Sequence, residues 1–170
     1  SIGNHLGFAI MFSNDVKVTG NISLFDRDHG LMINGSNHSD FAGNLVRGAA
    51  KCTFIFDANK NLFVSNRFEG CDIGIHFTAG SEGNAVSDNA FIGNRTQVKY
   101  VGSRNIEWSF QGRGNFWSDH PAFDLNGDGI ADACLAQVGL GPAQTQGSVP
   151  GNGALAGHHV QAIEGCVPGT

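Results

Sequence analysis

The stretch GFAIMFSNDVKVTGN, residues 7–21, recurs in altered form as GLMINGSNHSDFAGN at 30–44, CTFIFDANKNLFVSN at 52–66 and GIHFTAGSEGNAVSDN at 74–89. Each copy closes on an Asn. With Asn115 as a fifth member, Asn21, Asn44, Asn66, Asn89 and Asn115 follow one another at intervals of 23, 22, 23 and 26 residues. Self-similarity at a short, nearly fixed period marks stacked repeats, each a small unit that cannot bury its apolar face alone.

Within each copy the apolar residues alternate. Phe8, Leu31, Thr53 and Ile75 hold the first offset from the opening residue, and Ile10, Ile33, Ile55 and Phe77 hold the third. A period of two places both sets on the inward side of a strand. After a polar turn such as Ser13-Asn14-Asp15 or Asn59-Lys60-Asn61, a second short strand sets Val18, Phe41, Phe63 and Val86 in another inward column. No helical period is sustained. The pattern therefore predicts an all-β fold, a right-handed parallel β-helix (solenoid) with coils of about 22 residues, the hand following the preference of parallel crossovers. The recurring Asn suits a coil corner, where a buried amide bonds corner backbone and its own counterparts in the coils on either side. Gly20, Gly43 and Gly114 before it fit a corner needing positive φ or close backbone approach, with Ser65 and Asp88 in their place in two coils.

Composition agrees with one Gly-punctuated domain: 170 residues with 25 Gly, 41% hydrophobic and 15% charged. A net charge of −5 without a basic patch argues against a nucleic-acid surface. No apolar run reaches the roughly 18 residues that a membrane span requires. The chain starts at Ser1 with neither an initiator Met nor an export signal, and reads as a fragment or processed product. Residues 1–132 read as β-helix plus C-terminal cap. Residues 133–170, without Lys, Arg or aromatic residues, read as a divergent, poorly ordered tail.

The outward offsets are unusual, because they read Ala9, Met32, Phe54, His76 and Met11, Asn34, Phe56, Thr78. A solvated face would carry Thr, Lys, Glu or Ser. Two readings stand: the stripe packs under a partner or a loop, or its thioethers and imidazole form a soft-metal site suited to Cu(I), with Met11, Met32 and His76 as candidates. Met32 and His76 lie two coils, about 10 Å, apart, so they cannot share one ion in a rigid stack, and a copper site would need help from Met11, a His on a turn or another protein. His29, beside Asp26 and Asp28, and His38, in a polar turn, read as solvated groups.

Cys71 falls in the column of Ala49, and Cys52 lies three residues farther along that coil. Along an extended strand this separates the two Cα atoms by about 11 Å, so the expectation is free buried thiols rather than a disulfide.

Beyond the last coil, Asp124, Asn126, Asp128 and Asp132, with Gly129 at the sharp turn and the carbonyl of Ile130, follow the spacing of a calcium loop. Leu135 stands where the bidentate Glu belongs, so a turn closed by its own Asp and Asn side chains is the competing reading. Phe116, Trp117 and Phe123 are suited to cover the open end of the core.

At NRFEGCDIGIHFTAGSEGN (66–84), NAFIGNRTQVKYVG (89–102) and GRGNFWSDHPAFDLNGDGIAD (112–132) the sequence closely resembles the NosD family. The resemblance implies a periplasmic β-helix protein of nitrous-oxide reductase maturation that handles copper. It also implies the ATPase and membrane subunits of an ABC transporter, a copper chaperone and the reductase as partners, with further coils upstream. It implies no catalytic residue. The family's Pro-Tyr segment after the acidic loop is replaced here by ACLAQVGLGPAQ. The competing reading is a carbohydrate-binding or polysaccharide-processing β-helix, which would need paired carboxylates in a groove. Asp26 with Asp28 and Glu69 with Asp72 are the pairs available, and both read as surface charge. A third reading is a structural fragment without a ligand.

Overall fold

Strands too short to be stable alone are stabilised here by stacking. A computed structural model describes residues 1–102, 105–111 and 113–119. The first coil holds β1 (Leu6–Met11), β2 (Lys17–Thr19) and β3 (Ile22–Leu24); the second β4 (His29–Asn34), β5 (Asp40–Ala42) and β6 (Leu45–Arg47). The third holds β7 (Lys51–Phe56), β8 (Leu62–Val64) and β9 (Arg67–Glu69), and the fourth β10 (Ile73–Phe77), β11 (Ala85–Ser87) and β12 (Ala90–Ile92). β13 (Thr96–Tyr100) and β14 (Phe116–Trp117) complete the series. All named pairs are parallel, each strand with its counterpart one coil away, in three sheets ordered β1-β4-β7-β10-β13, β2-β5-β8-β11 and β3-β6-β9-β12-β14. This is a parallel β-helix of about five turns.

The inward columns are those of the alternation. Leu31, Thr53 and Ile75 stand in one register, and Ile33, Ile55 and Phe77 in another, all fully buried. Phe41 and Phe63 stack at 4.9 Å and 10° inside the second sheet. The third sheet adds a column that the alternation count did not separate, Ser23, Val46, Phe68, Phe91 and Trp117. Its signal was present, since each of these residues follows two places after a column Asn. Trp117 stacks on Phe91 at 4.4 Å and 7° and meets Trp108 at 5.8 Å, so two indoles cover the last coil of the described core. Phe116 is half-buried beside Trp117, whereas Phe123 and the whole acidic loop, Asp124 to Asp132, lie outside the described residues.

The corner Asn side chains form a continuous chain of hydrogen bonds. The backbone N–H and the side-chain amide of Asn21, Asn44, Asn66 and Asn89 all donate to Oδ1 of the next Asn, ending at Asn115. Gly20 and Gly43 have φ of 64° and 63°, and Ser65 and Asp88 adopt the same left-handed region at 54° and 57°. Asn14, Asn37 and Asn59 build a second ladder along the exposed turn. Buried Asn61 and Asn84 build a third, with Asn61 N–H donating to Asn84 Oδ1 at 2.9 Å.

The thiol expectation is overturned. Cys52 and Cys71 form a disulfide with Cα atoms 5.7 Å apart. The register was right, because Asp72 N–H donates to Ala49 O and Ile73 pairs with Lys51. The path was wrong: residues 49–52 turn the corner between the third and first sheets, so three residues do not cover three extended steps. Cys52 then falls in the inward column otherwise filled by Gly30 and Gly74, and both sulfurs lie in the core.

Candidate functional site

The first sheet presents its outer face as a set of registers. His29, Lys51 and Ile73 align in one, Met32, Phe54, His76 and Lys99 in the next, and Met11, Asn34 and Phe56 in a third. Met32 and His76 therefore share a column with Phe54 between them, and Met11 stands one column over and one coil before Met32. The structure does not bring the three copper candidates into one cluster. Among the described residues no group of three or more His, Cys, Asp or Glu could hold a metal ion.

Met32, Phe54 and His76 nevertheless sit on one stripe. Phe54 lies between two imidazoles, 4.9 Å from His29 and 5.3 Å from His76, and the Lys51 ammonium sits 5.0 Å over its ring. Although it points outward, His76 is only 9% exposed, and neither of its ring nitrogens has a hydrogen-bond partner among the described residues. Burial, then the charges of Lys99, Lys51 and His29, push its pKa down to about 4, so the ring is neutral at neutral pH. A neutral imidazole with an unshared lone pair is a competent ligand for a soft metal.

His29 departs from the reading as a solvated partner of acids. It opens β4 on the outer face, where Lys51 Nζ approaches its Nε2 at 3.3 Å. An ammonium can only donate, so Nε2 accepts and the ring proton of the neutral form sits on Nδ1, which is buried without a partner. Burial and Lys51 lower its pKa, with Asp28 acting the other way. It is His5 that meets Asp28, at 3.0 Å. His38 does sit exposed in its turn.

The carboxylates also sort differently than expected. Asp26 is fully buried rather than surface charge, accepting from the hydroxyls of Ser23 at 2.6 Å and Ser1 at 2.9 Å and from the Asn4 N–H at 2.7 Å. Burial alone would raise its pKa; those hydrogen bonds more than offset this and hold it below the ordinary value. Asp28 lies across the corner with His5, so the two acids do not act as a pair on one groove. Glu69 bridges Arg67 and Arg47 at 2.9 and 3.0 Å, while Asp72 is exposed at the next corner.

The fold is a parallel β-helix, a rigid scaffold whose first sheet carries thioethers, aromatic rings and imidazoles in register on its outer face. Residues 1–122 match the family described as "Periplasmic copper-binding protein (NosD)", and the chain belongs to the NosD family. It is 43% identical over 140 residues, 74% of this chain and 32% of the relative, to a "Probable ABC transporter binding protein NosD" of Stutzerimonas stutzeri. A protein of the same description from Pseudomonas aeruginosa is 44% identical over 134 residues, 71% of this chain and 31% of the relative. The chain thus spans about a third of the length of these curated relatives. Among the described residues no helix is long and apolar enough to cross a membrane.

Proposed function

We propose that this chain is part of a periplasmic accessory protein that takes part in copper delivery for nitrous-oxide reductase maturation, working with the membrane and ATPase subunits of an ABC transporter. The observation that carries the reading is His76, a neutral imidazole whose two nitrogens have no partner among the described residues, on the same column as Met32. Copper is cargo here. The separation of Met11, Met32 and His76 across coils favours single donors that a partner completes over a closed site, which suits a protein that must pass the ion on. The family description and the names of the two relatives support the compartment and the transporter link. The Cys52–Cys71 disulfide supports an oxidising compartment as well.

Anaerobic Cu(I) titration against a competing chromophoric chelator tests the assignment, on the native chain and on Met11→Ala, Met32→Ala, His76→Ala combined. Binding that disappears in the variant supports the outer sheet as the copper face. Equal binding by both overturns that placement and moves attention to other donors of the chain. Activity on a polyuronide would revive the polysaccharide reading, against which stand the burial of Asp26 and the absence of Asp and Glu from the outward positions of the first sheet.

A further inference from the structure

In a chain with net charge −5, the outward positions of the first sheet carry no carboxylate. No outward register position of β1, β4, β7, β10 or β13 is Asp or Glu, whereas two are Lys and two are His. Asp28, Asp57 and Asp72 lie on the flanking corners. Neither Lys51 nor Lys99 is in an ion pair among the described residues. On this face, whose charges are those of Lys51 and Lys99, lie three buried ring nitrogens without partners among the described residues, His29 Nδ1 and both nitrogens of His76, together with the half-buried Phe54 and Met32. Two of the three are donors in the neutral rings, His29 Nδ1–H and one N–H of His76, and the third is an acceptor.

We infer that the outer face of the first sheet is a docking surface for a short acidic segment of a partner protein, with Lys51 and Lys99 receiving its carboxylates and Met32, Phe54 and Phe56, on the coils of and beside Lys51, receiving apolar side chains. Charge complementarity selects an acidic partner. Size selects a segment rather than a whole domain: five strands about 4.8 Å apart and some six residues long give a patch of about 400 Å², half of what a standard interface contributes per partner. The thioether and the exposed ring of Phe56, 47% accessible, favour a polypeptide over a glycan, since Met and aromatic residues are enriched where proteins bind proteins. The inference stands beside the copper reading and does not require the metal.

The test is an NMR titration of the isotopically labelled full chain, with copper removed by chelator. The probe is a short, end-capped peptide alternating Glu with Leu, beside the same peptide with Gln and with Lys in place of Glu. The expected result is amide shifts confined to β1, β4, β7, β10 and β13 for the Glu peptide. Affinity should fall about tenfold or more for the Gln peptide, for the chain carrying Lys51→Ser and Lys99→Ser, and in about 0.5 M salt. Shifts mapping to the other two sheets, equal binding of Gln and Glu peptides, or no shift up to about 10 mM peptide would overturn it. Binding of an oligogalacturonate with the peptides silent would also overturn it, in favour of an anionic glycan. Copper binding with peptide binding lost, or the reverse, separates failure of this inference from failure of the copper reading.

Discussion

The side-chain oxygen of Asn66 accepts both the backbone N–H of Asn44, at 3.0 Å, and its side-chain amide, at 2.9 Å, one coil earlier. Asn66 Nδ2 in turn donates to Phe41 O and to Asn89 Oδ1. One buried side chain thus joins three coils through four hydrogen bonds.

Asn66→Ala should therefore cost about 3–4 kcal/mol, since each bond contributes about 1 kcal/mol and the Asn44 N–H is left buried without a partner. Asn59→Ala, on the exposed turn ladder where water can substitute, should cost less than about 1 kcal/mol. Urea unfolding of both variants checks the contrast, and equal losses would contradict it.

The Cys52–Cys71 disulfide closes a loop of sequence separation 19 at the corner entering the first sheet. Chain entropy alone puts its contribution at about 3 kcal/mol. Cys52→Ala with Cys71→Ala should lower the urea midpoint accordingly, and a reductant should shift the native chain while leaving the variant unmoved. An unaltered midpoint under full reduction would show that the core, not the cross-link, fixes this corner.

The coils were legible because a strand of period two writes its burial directly into the sequence, as in Leu31 and Ile33 or Ile75 and Phe77. Corners do not write themselves in this way. The path from Ala49 to Cys52 turns through space in a manner that counting steps cannot follow, which hid the disulfide. For the same reason Asp26 and His29, three residues apart, end on opposite sides of the sheet: one is buried on Ser23, the other outward on Phe54. Of the candidate site, the stripe of Met32, Phe54 and His76 followed from alternation. The burial of His76 did not, because it depends on neighbours from other coils that only register brings together.

Thr53 occupies a core column between Leu31 and Ile75, is fully buried, and its hydroxyl has no hydrogen-bond partner among the described residues. Thr53→Val keeps the shape and removes the orphaned hydroxyl. It should stabilise the fold by about 1 kcal/mol, a rise in thermal midpoint that calorimetry would read directly. A destabilised variant would mean that the hydroxyl finds a bond of its own in solution.

Two glycines separate steric from conformational demand. A Cβ on Gly30 would lie 3.0 Å from both Cys52 O and Ser23 Oγ and would overlap the Val46 side chain, so Gly30→Ala should cost about 3 kcal/mol through overpacking. Gly43 has open space around it but a φ of 63°, so Gly43→Ala should cost only about 1 kcal/mol through strain. Gly43→Asn, which tolerates that φ, should recover part of the loss, whereas no side chain at residue 30 should.

His76 gives the fold a pH dependence whose sign is fixed by its depressed pKa of about 4 against an ordinary 6.5. Below pH 6.5 the unfolded chain takes up a proton that the folded chain refuses until about pH 4, so stability is complete above that window and declines as pH falls through it. The loss approaches about 3 kcal/mol at its acid end. Asp26 and Glu69, both held low by their hydrogen bonds, lose their contributions at more acidic pH, below their ordinary 3.8 and 4.5, and His29 shifts in the same direction as His76. His76→Phe should accordingly flatten, without abolishing, the slope of unfolding free energy between pH 6.5 and 4.5, measured by urea denaturation with copper chelated. An unchanged slope in that variant would mean that His76 is already hydrated or paired in solution, and would remove the unpartnered imidazole on which the copper reading rests.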